Sequence, residues 1–343
     1  MDKTGANAFI FAKASGNLSK SFIGSRAHLL FEQKSLGELW KLIFNTQAPM
    51  VPEVMLAQKI EEEAFSNFIS EYIKLVKYYD KPEKLLISNL YIYEVENLKE
   101  ISAALLNKEE KLPAMVELKD YSRLNYDAWP NILNITKKTP YAWMNSIPEI
   151  HQQQNNDHKL DIQIIHEIWK NVQSLSGEDG KALKQFYTEE LILKNIIWAL
   201  RLKIFYKMPD EKIYEKLIYV NDSPSKTDLV IAPAMKALAL PIDEHSAWEK
   251  WKYYKLVNPY YPGEVWEVRP EWIEKMGNAY INKRALNLYH QFPMSVTSLI
   301  YWYKIKDFEL SCIRTAVESL RLNITADEAM NAVGIIMQGE KNG

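Results

Sequence analysis

The sequence predicts an all-α fold built from three similar helical bundles, on three observations. Apolar residues recur at steps of three and four along most of the chain. No alternating apolar–polar run is long enough to build a sheet. One helical motif occurs three times, its centres about a hundred residues apart. The copies are YEVENLKEIS (93–102), ILKNIIWALR (192–201) and ELSCIRTAVE (309–318). They align on Asn97, Asn195 and Cys312, with Val95, Leu193 or Leu310 two residues before and Leu98, Ile196 or Ile313 one after.

The elements follow in chain order. NTQAPMVPE (45–53) reads as a Pro-containing turn. Over 60–79, Phe65, Phe68, Ile69, Tyr72, Ile73, Val76 and Tyr79 form an apolar stripe opposite Glu61, Glu62, Glu63, Lys74 and Lys77. The first motif copy continues its stripe through Ile101 and Leu105. PEIHQQQNNDHKLD (148–161) reads as a polar loop, and Ile162, Ile165, Trp169, Val172 and Leu175 as the stripe of the next helix. SGEDG (176–180) reads as a helix–helix connection. The second copy carries Ile192, Ile197, Trp198 and Leu202 beyond its stripe, as expected of a helix sandwiched between others. VNDSPSKTD (220–228) and VNPYYPGEVWEVRPEW (257–272) are long Pro-containing connections, the second with room for an extended piece. The third copy continues through Val317 and Leu320. A spacing of about a hundred residues exceeds a solenoid unit of roughly 20–50, so the expected parts are whole bundles: 1–120, 121–225 and 226–343. IFNTQAPMVPEVML (43–56) and ITKKTPYAWMNSI (135–147), each with Thr before a short turn and a new apolar run, repeat at the same interval.

Composition narrows the function classes. A net charge of −2 from 42 basic and 44 acidic residues gives no bulk attraction to nucleic acid or acidic lipid. The single cysteine, Cys312, rules out an intramolecular disulfide and fits a reducing compartment. No apolar run approaches the roughly 20 residues of a membrane helix, and the N-terminus lacks a signal-peptide core. Ten Trp and 20 Tyr suggest large amphipathic contact surfaces.

Motifs for catalysis are sparse. SGEDGKAL (176–183) is too short to wrap phosphates, and no GxGxxG or GxSxG occurs. His166-Glu167 begins a zinc helix that Lys170 ends. His151, His158, Asp157 and Asp161 could hold a metal, but such polar segments are usually only solvated. The expectation is no cofactor, no metal and no catalytic residue.

The order AFIFAKASGNLSKSFIGSRAHLLFEQKSLGELWKLIFNT, a Pro-rich turn, YEVENLKEIS, TKKTPYAWM and SLIYWYKIKDFELSCIRTAVESLRLNIT resembles the C subunit of bacterial and archaeal V/A-type rotary ATPases, homologous to the eukaryotic V-ATPase d subunit, over about residues 8–335. Phe9-Ile10-Phe11-Ala12-Lys13 lacks the family's Arg, Ile192 replaces an acid, and Cys312 stands where Asn is usual. The resemblance implies a pseudo-threefold funnel of helical bundles without an active site. It implies partners, namely the D and F subunits of the central stalk and the membrane proteolipid ring. It implies a cytoplasmic position, peripheral on the inner face of the membrane, and ATP-linked proton or sodium transport. On this reading Lys99, Arg201, Arg314 and Arg321 line the funnel and meet acids of the stalk or ring. The competing reading has them snorkel or pair with acids of their own helices. Asn97, Asn195 and Cys312 are expected to fix helix packing, each Asn by bonding a neighbouring backbone. Two other functions compete: a free-standing helical adaptor, and an α-helical enzyme using the 148–161 segment.

Overall fold

A computed structural model describes residues 1–147 and 149–335. Among these no strand occurs, and the fold is all-α. The helices are α1 (Lys3–Leu18), α2 (Leu36–Phe44), α3 (Glu53–Val76), α4 (Lys84–Leu106), α5 (Ile132–Thr136), α6 (Ile150–Gln173), α7 (Gly177–Ile204), α8 (Asp210–Tyr214), α9 (Ala232–Leu238), α10 (His245–Trp248), α11 (Pro270–Gln291), α12 (Val296–Leu322) and α13 (Ala326–Ala332). The three motif copies lie on α4, α7 and α12. The chain divides into two compact units. The first takes Met1–Lys3 and Ile69–Gly177; the second takes Thr4–Phe68 and the described residues from Glu178 onward.

The first unit is built on α4 packed along α6. Leu86, Leu90, Leu98 and Ile101 of α4 are fully buried, and α6 answers with Leu160, Ile164, Ile168 and Val172. Each such side chain contributes about 1.5–3 kcal/mol on leaving water. The α6 stripe therefore differs from the one expected. Ile162 and Val172 are buried, but Ile165 and Trp169 are only half-buried. The sequence is apolar on two adjacent sides of this helix, and packing on α4 selects between them.

The segment expected as a polar loop at 148–161 is a second correction. From Ile150 it is the opening of α6, while Pro148 lies outside the described residues. Gln152 Oε1 accepts from the Glu149 backbone N–H (3.4 Å), the back-bond of a capping box, and nothing among 150–161 breaks the helix once begun. Polar composition marked a solvent face, and periodicity alone could not separate that from a loop. The expected connection at 176–180 likewise shrinks to residues 174–176, because Gly177–Gly180 already form the first turn of α7.

The second unit centres on α12, which packs along α11 and is also covered by α2, α13 and the 3-10 turn Gly24–Leu30. Leu299, Ile300, Tyr301 and Trp302 are fully buried. Ser295 caps the helix start, its Oγ accepting from Thr297 N (3.1 Å), and Asn323 ends it in the left-handed region. The α11 helix opens with Pro270 in the first turn, where the missing N–H costs nothing. It comes close to α7 at Gly277, where an added Cβ would sit 3.7 Å from Leu193 Cδ1. The α7 helix buries Leu191, Ile192, Leu193, Ile196, Leu200 and Leu202. Its Trp198, expected on a sandwiched side, is 43% exposed.

Candidate functional site

The centres of the first two motifs are buried amide clamps. Asn97 Nδ2 donates to Val116 O (2.9 Å) and Tyr126 Oη (2.8 Å), while its Oδ1 accepts from Val116 N (2.8 Å). Asn195 Nδ2 donates to Ile218 O (2.7 Å) and Val230 O (2.9 Å), and its Oδ1 accepts from Ile218 N (2.8 Å). Each Asn thus grips both the N–H and the C=O of one residue in the chain that follows its helix. A side chain with two donors and one carbonyl can do this; an apolar one cannot. Cys312, fully buried, has neither an amide nor such a role, and burial pushes its thiol well above the usual range, with Glu309 adding to the effect. That disfavours the reactive thiolate.

The four bases separate into two kinds. Lys99 bridges to Asp161 of α6 (2.6 Å) and Glu96 of its own helix (2.9 Å), tying α4 to α6. Arg201 pairs with Glu274, tying α7 to α11. Arg314 and Arg321 remain on an open flank of α12. Arg314 lies over the Phe65 ring (5.8 Å) and Arg321 bonds Glu318 one turn back (2.6 Å). Both act on Glu61 of α3. Burial and Glu318 push the Glu61 carboxyl above its usual range, and the two arginines pull it back. Glu61, Arg314, Glu318 and Arg321 are therefore one charged cluster. Further along the same segments lie exposed apolar residues: Met50 just before α3, Val54 and Met55 in its first turn, Leu322 at the end of α12 and Ile324 just after it. Charged and uncovered aliphatic side chains on the same two helices have the composition of a protein-docking patch.

Residues 13–332 match the ATP synthase (C/AC39) subunit family. The chain belongs to that family. Membership makes it a component of V/A-type ATPases, a structural rather than a catalytic one. It is also similar to an uncharacterized protein of Treponema pallidum (strain Nichols), 23% identical over 319 residues and 92% of each chain. Among the described residues no helix is long and apolar enough to cross a membrane.

Several residues that shape this C/AC39 chain carry no motif that a sequence could announce. Asp228, fully buried, accepts from Val220 N, Asn221 N and Val230 N (3.0, 3.1 and 2.9 Å), closing the loop that Asn195 also grips. Arg123 is the hub of the first unit. It pairs with buried Glu94 and with Glu167, bonds Tyr141 Oη, and stacks 3.3 Å over Tyr91. Adjacent Glu189 and Glu190 on α7 reach different helices, Glu189 to Arg284 of α11 and Glu190 to Lys304 of α12 (2.8 Å). Glu190 is pushed up by burial, but Lys304 and Lys194 outweigh that and hold its carboxyl down at about 2. The sequence shows only two adjacent acids on a helix, which names their partners' charge but not the partners. Asp161, weighed as a metal ligand, is committed to Lys99.

Proposed function

We propose that the chain is the non-catalytic coupling component of a V/A-type rotary ATPase. It joins the D and F subunits of the central stalk to the membrane proteolipid ring and passes rotation between them during ATP-linked proton or sodium transport. It sits on the cytoplasmic face of the membrane, held there by the ring. Bundles centred on α4, α7 and α12 would give the threefold framework. The observation that carries the reading is the family match over residues 13–332.

The Arg314–Arg321 flank is the docking position in this proposal. A torque joint must resist slip yet release on disassembly, and rim charges around an apolar contact supply both register and reversibility. Lys99 and Arg201 serve the joint indirectly, by keeping α4 on α6 and α7 on α11.

The test is co-expression with the D and F stalk proteins, followed by size exclusion with light scattering. A complex of defined stoichiometry is expected. Arg314→Glu should weaken it about tenfold or more with an unchanged helical spectrum, the loss of one interfacial charge pair and its replacement by repulsion. Full-strength assembly with Arg314→Glu would remove that residue from the interface. A chain that co-purifies with neither stalk nor ring would return the free-standing adaptor reading.

A further inference from the structure

The stretch from Asn258 to Val268 projects large apolar side chains into solvent: Tyr260 is 48% exposed, Tyr261 57% and Val265 99%. Exposed aromatics on a slack loop would mean little. This loop is held from several directions. Asn258 Nδ2 donates to Glu267 O (3.0 Å), its Oδ1 accepts from Arg269 N (2.9 Å), and its backbone O accepts from Trp266 Nε1 (3.1 Å). Val268 N donates to Ile242 O (2.8 Å). His245 stacks on Tyr260 and meets the buried Trp266 edge-on, with ring centroids at 5.7 and 5.0 Å. At the tip, Glu264 N donates to Tyr261 O (3.1 Å) across Pro262-Gly263, with Gly263 at φ +90°. Pro then Gly at the two central positions is the chemistry of a type II turn.

From this stiff, exposed tip we propose a docking wedge whose partner is a protein surface offering an apolar pocket rimmed by lysine or arginine. The stiffness supplies the pocket-filling half of the argument, because the backbone that carries Tyr260, Tyr261 and Val265 is already ordered in the free chain. Charge supplies the rim. Between Asn258 and Val268 the sequence carries two carboxylates, Glu264 and Glu267, and no base. Both are exposed, and neither makes an ion pair among the described residues. The nearest bases in sequence, Lys255 and Arg269, lie at the foot of the loop and not at its tip. A membrane surface rich in anionic lipid is the wrong partner for such a tip, since the carboxylates would meet like charge. The proposal rests on the rotary-coupling reading only for the assembly in which the partner is sought.

The test places p-benzoylphenylalanine at position 265 of the full chain, within the detergent-solubilised ATPase assembly. Irradiation is followed by mass spectrometry of the adduct. The expected result is a protein adduct on a segment that sets Lys or Arg beside apolar residues. Combined Glu264→Lys and Glu267→Lys should cut its yield about tenfold with an unchanged melting temperature, two rim charges being reversed. A lipid adduct, no adduct in a chain that still co-purifies with the ATPase, or a yield indifferent to the charge reversal would overturn the wedge. Failure to co-purify would instead overturn the coupling reading, and the wedge falls with it only if no protein adduct forms.

Discussion

Removing the Asn195 side chain tests whether the repeated motif serves as a clamp. Asn195→Ala deletes three hydrogen bonds at a position that is 1% exposed. Each such bond is worth about 1 kcal/mol net, and a buried group left without a partner costs about 1–3 kcal/mol. Ile218 is half-buried, so entering water can satisfy part of its backbone, whereas Val230 is fully buried. The expected loss is about 3 kcal/mol, or roughly a hundredfold in the opening equilibrium of the 215–231 loop at about 1.4 kcal/mol per tenfold. Asn195→Asp should be worse at neutral pH. It keeps the acceptor for Ile218 N but turns a carboxylate oxygen towards the carbonyls of Ile218 and Val230. Hydrogen exchange read by mass spectrometry on the peptide containing Ile218 measures the opening directly. Acceleration below about threefold, with an unchanged unfolding midpoint, would refute the clamp. Asn97→Ala should act the same way on Val116 in the first unit, whereas Cys312→Ala, which breaks no such grip, should leave the backbone after α12 protected.

The remaining predictions concern charge and glycine. Glu190 has its carboxyl held at about 2 against an ordinary 4.5, a depressed value, so its contribution is complete above pH about 4.5 and is lost as pH falls towards 2. Denaturation midpoints measured between pH 6 and 2.5 should fall steeply in the parent, and Glu190→Gln should start lower and fall less, the difference being on the order of 3 kcal/mol. A parallel acid limb in the two proteins would contradict this. Two glycines should behave oppositely. Gly334, at φ +79°, has no room for a Cβ, which would sit 2.5 Å from Lys275 O, so Gly334→Ala should cost more than about 1 kcal/mol and loosen α13. Gly277→Ala meets only ordinary contacts in mid-helix and should be neutral or stabilising by up to about 1 kcal/mol, read by melting temperature.

What the sequence by itself determined was the helical class and the motif helices, because a 3.6-residue period in apolar side chains needs no knowledge of a partner. The interval between Asn97, Asn195 and Cys312 placed α4, α7 and α12 correctly, and the order of motifs pointed to the family. The tertiary structure decided everything that depended on which surface met which. It turned the polar 150–161 stretch into the start of α6, since polarity records contact with water and not backbone conformation. It chose Ile164 and Ile168 over Ile165 and Trp169 as core, since α4 covers only one of two apolar sides. It committed Lys99 and Arg201 to acids on neighbouring helices and left Arg314 and Arg321 on an open flank. All four read alike in the sequence, as a base at or near the end of a motif, because a charge specifies only the sign of its partner. Its distance and direction come from packing.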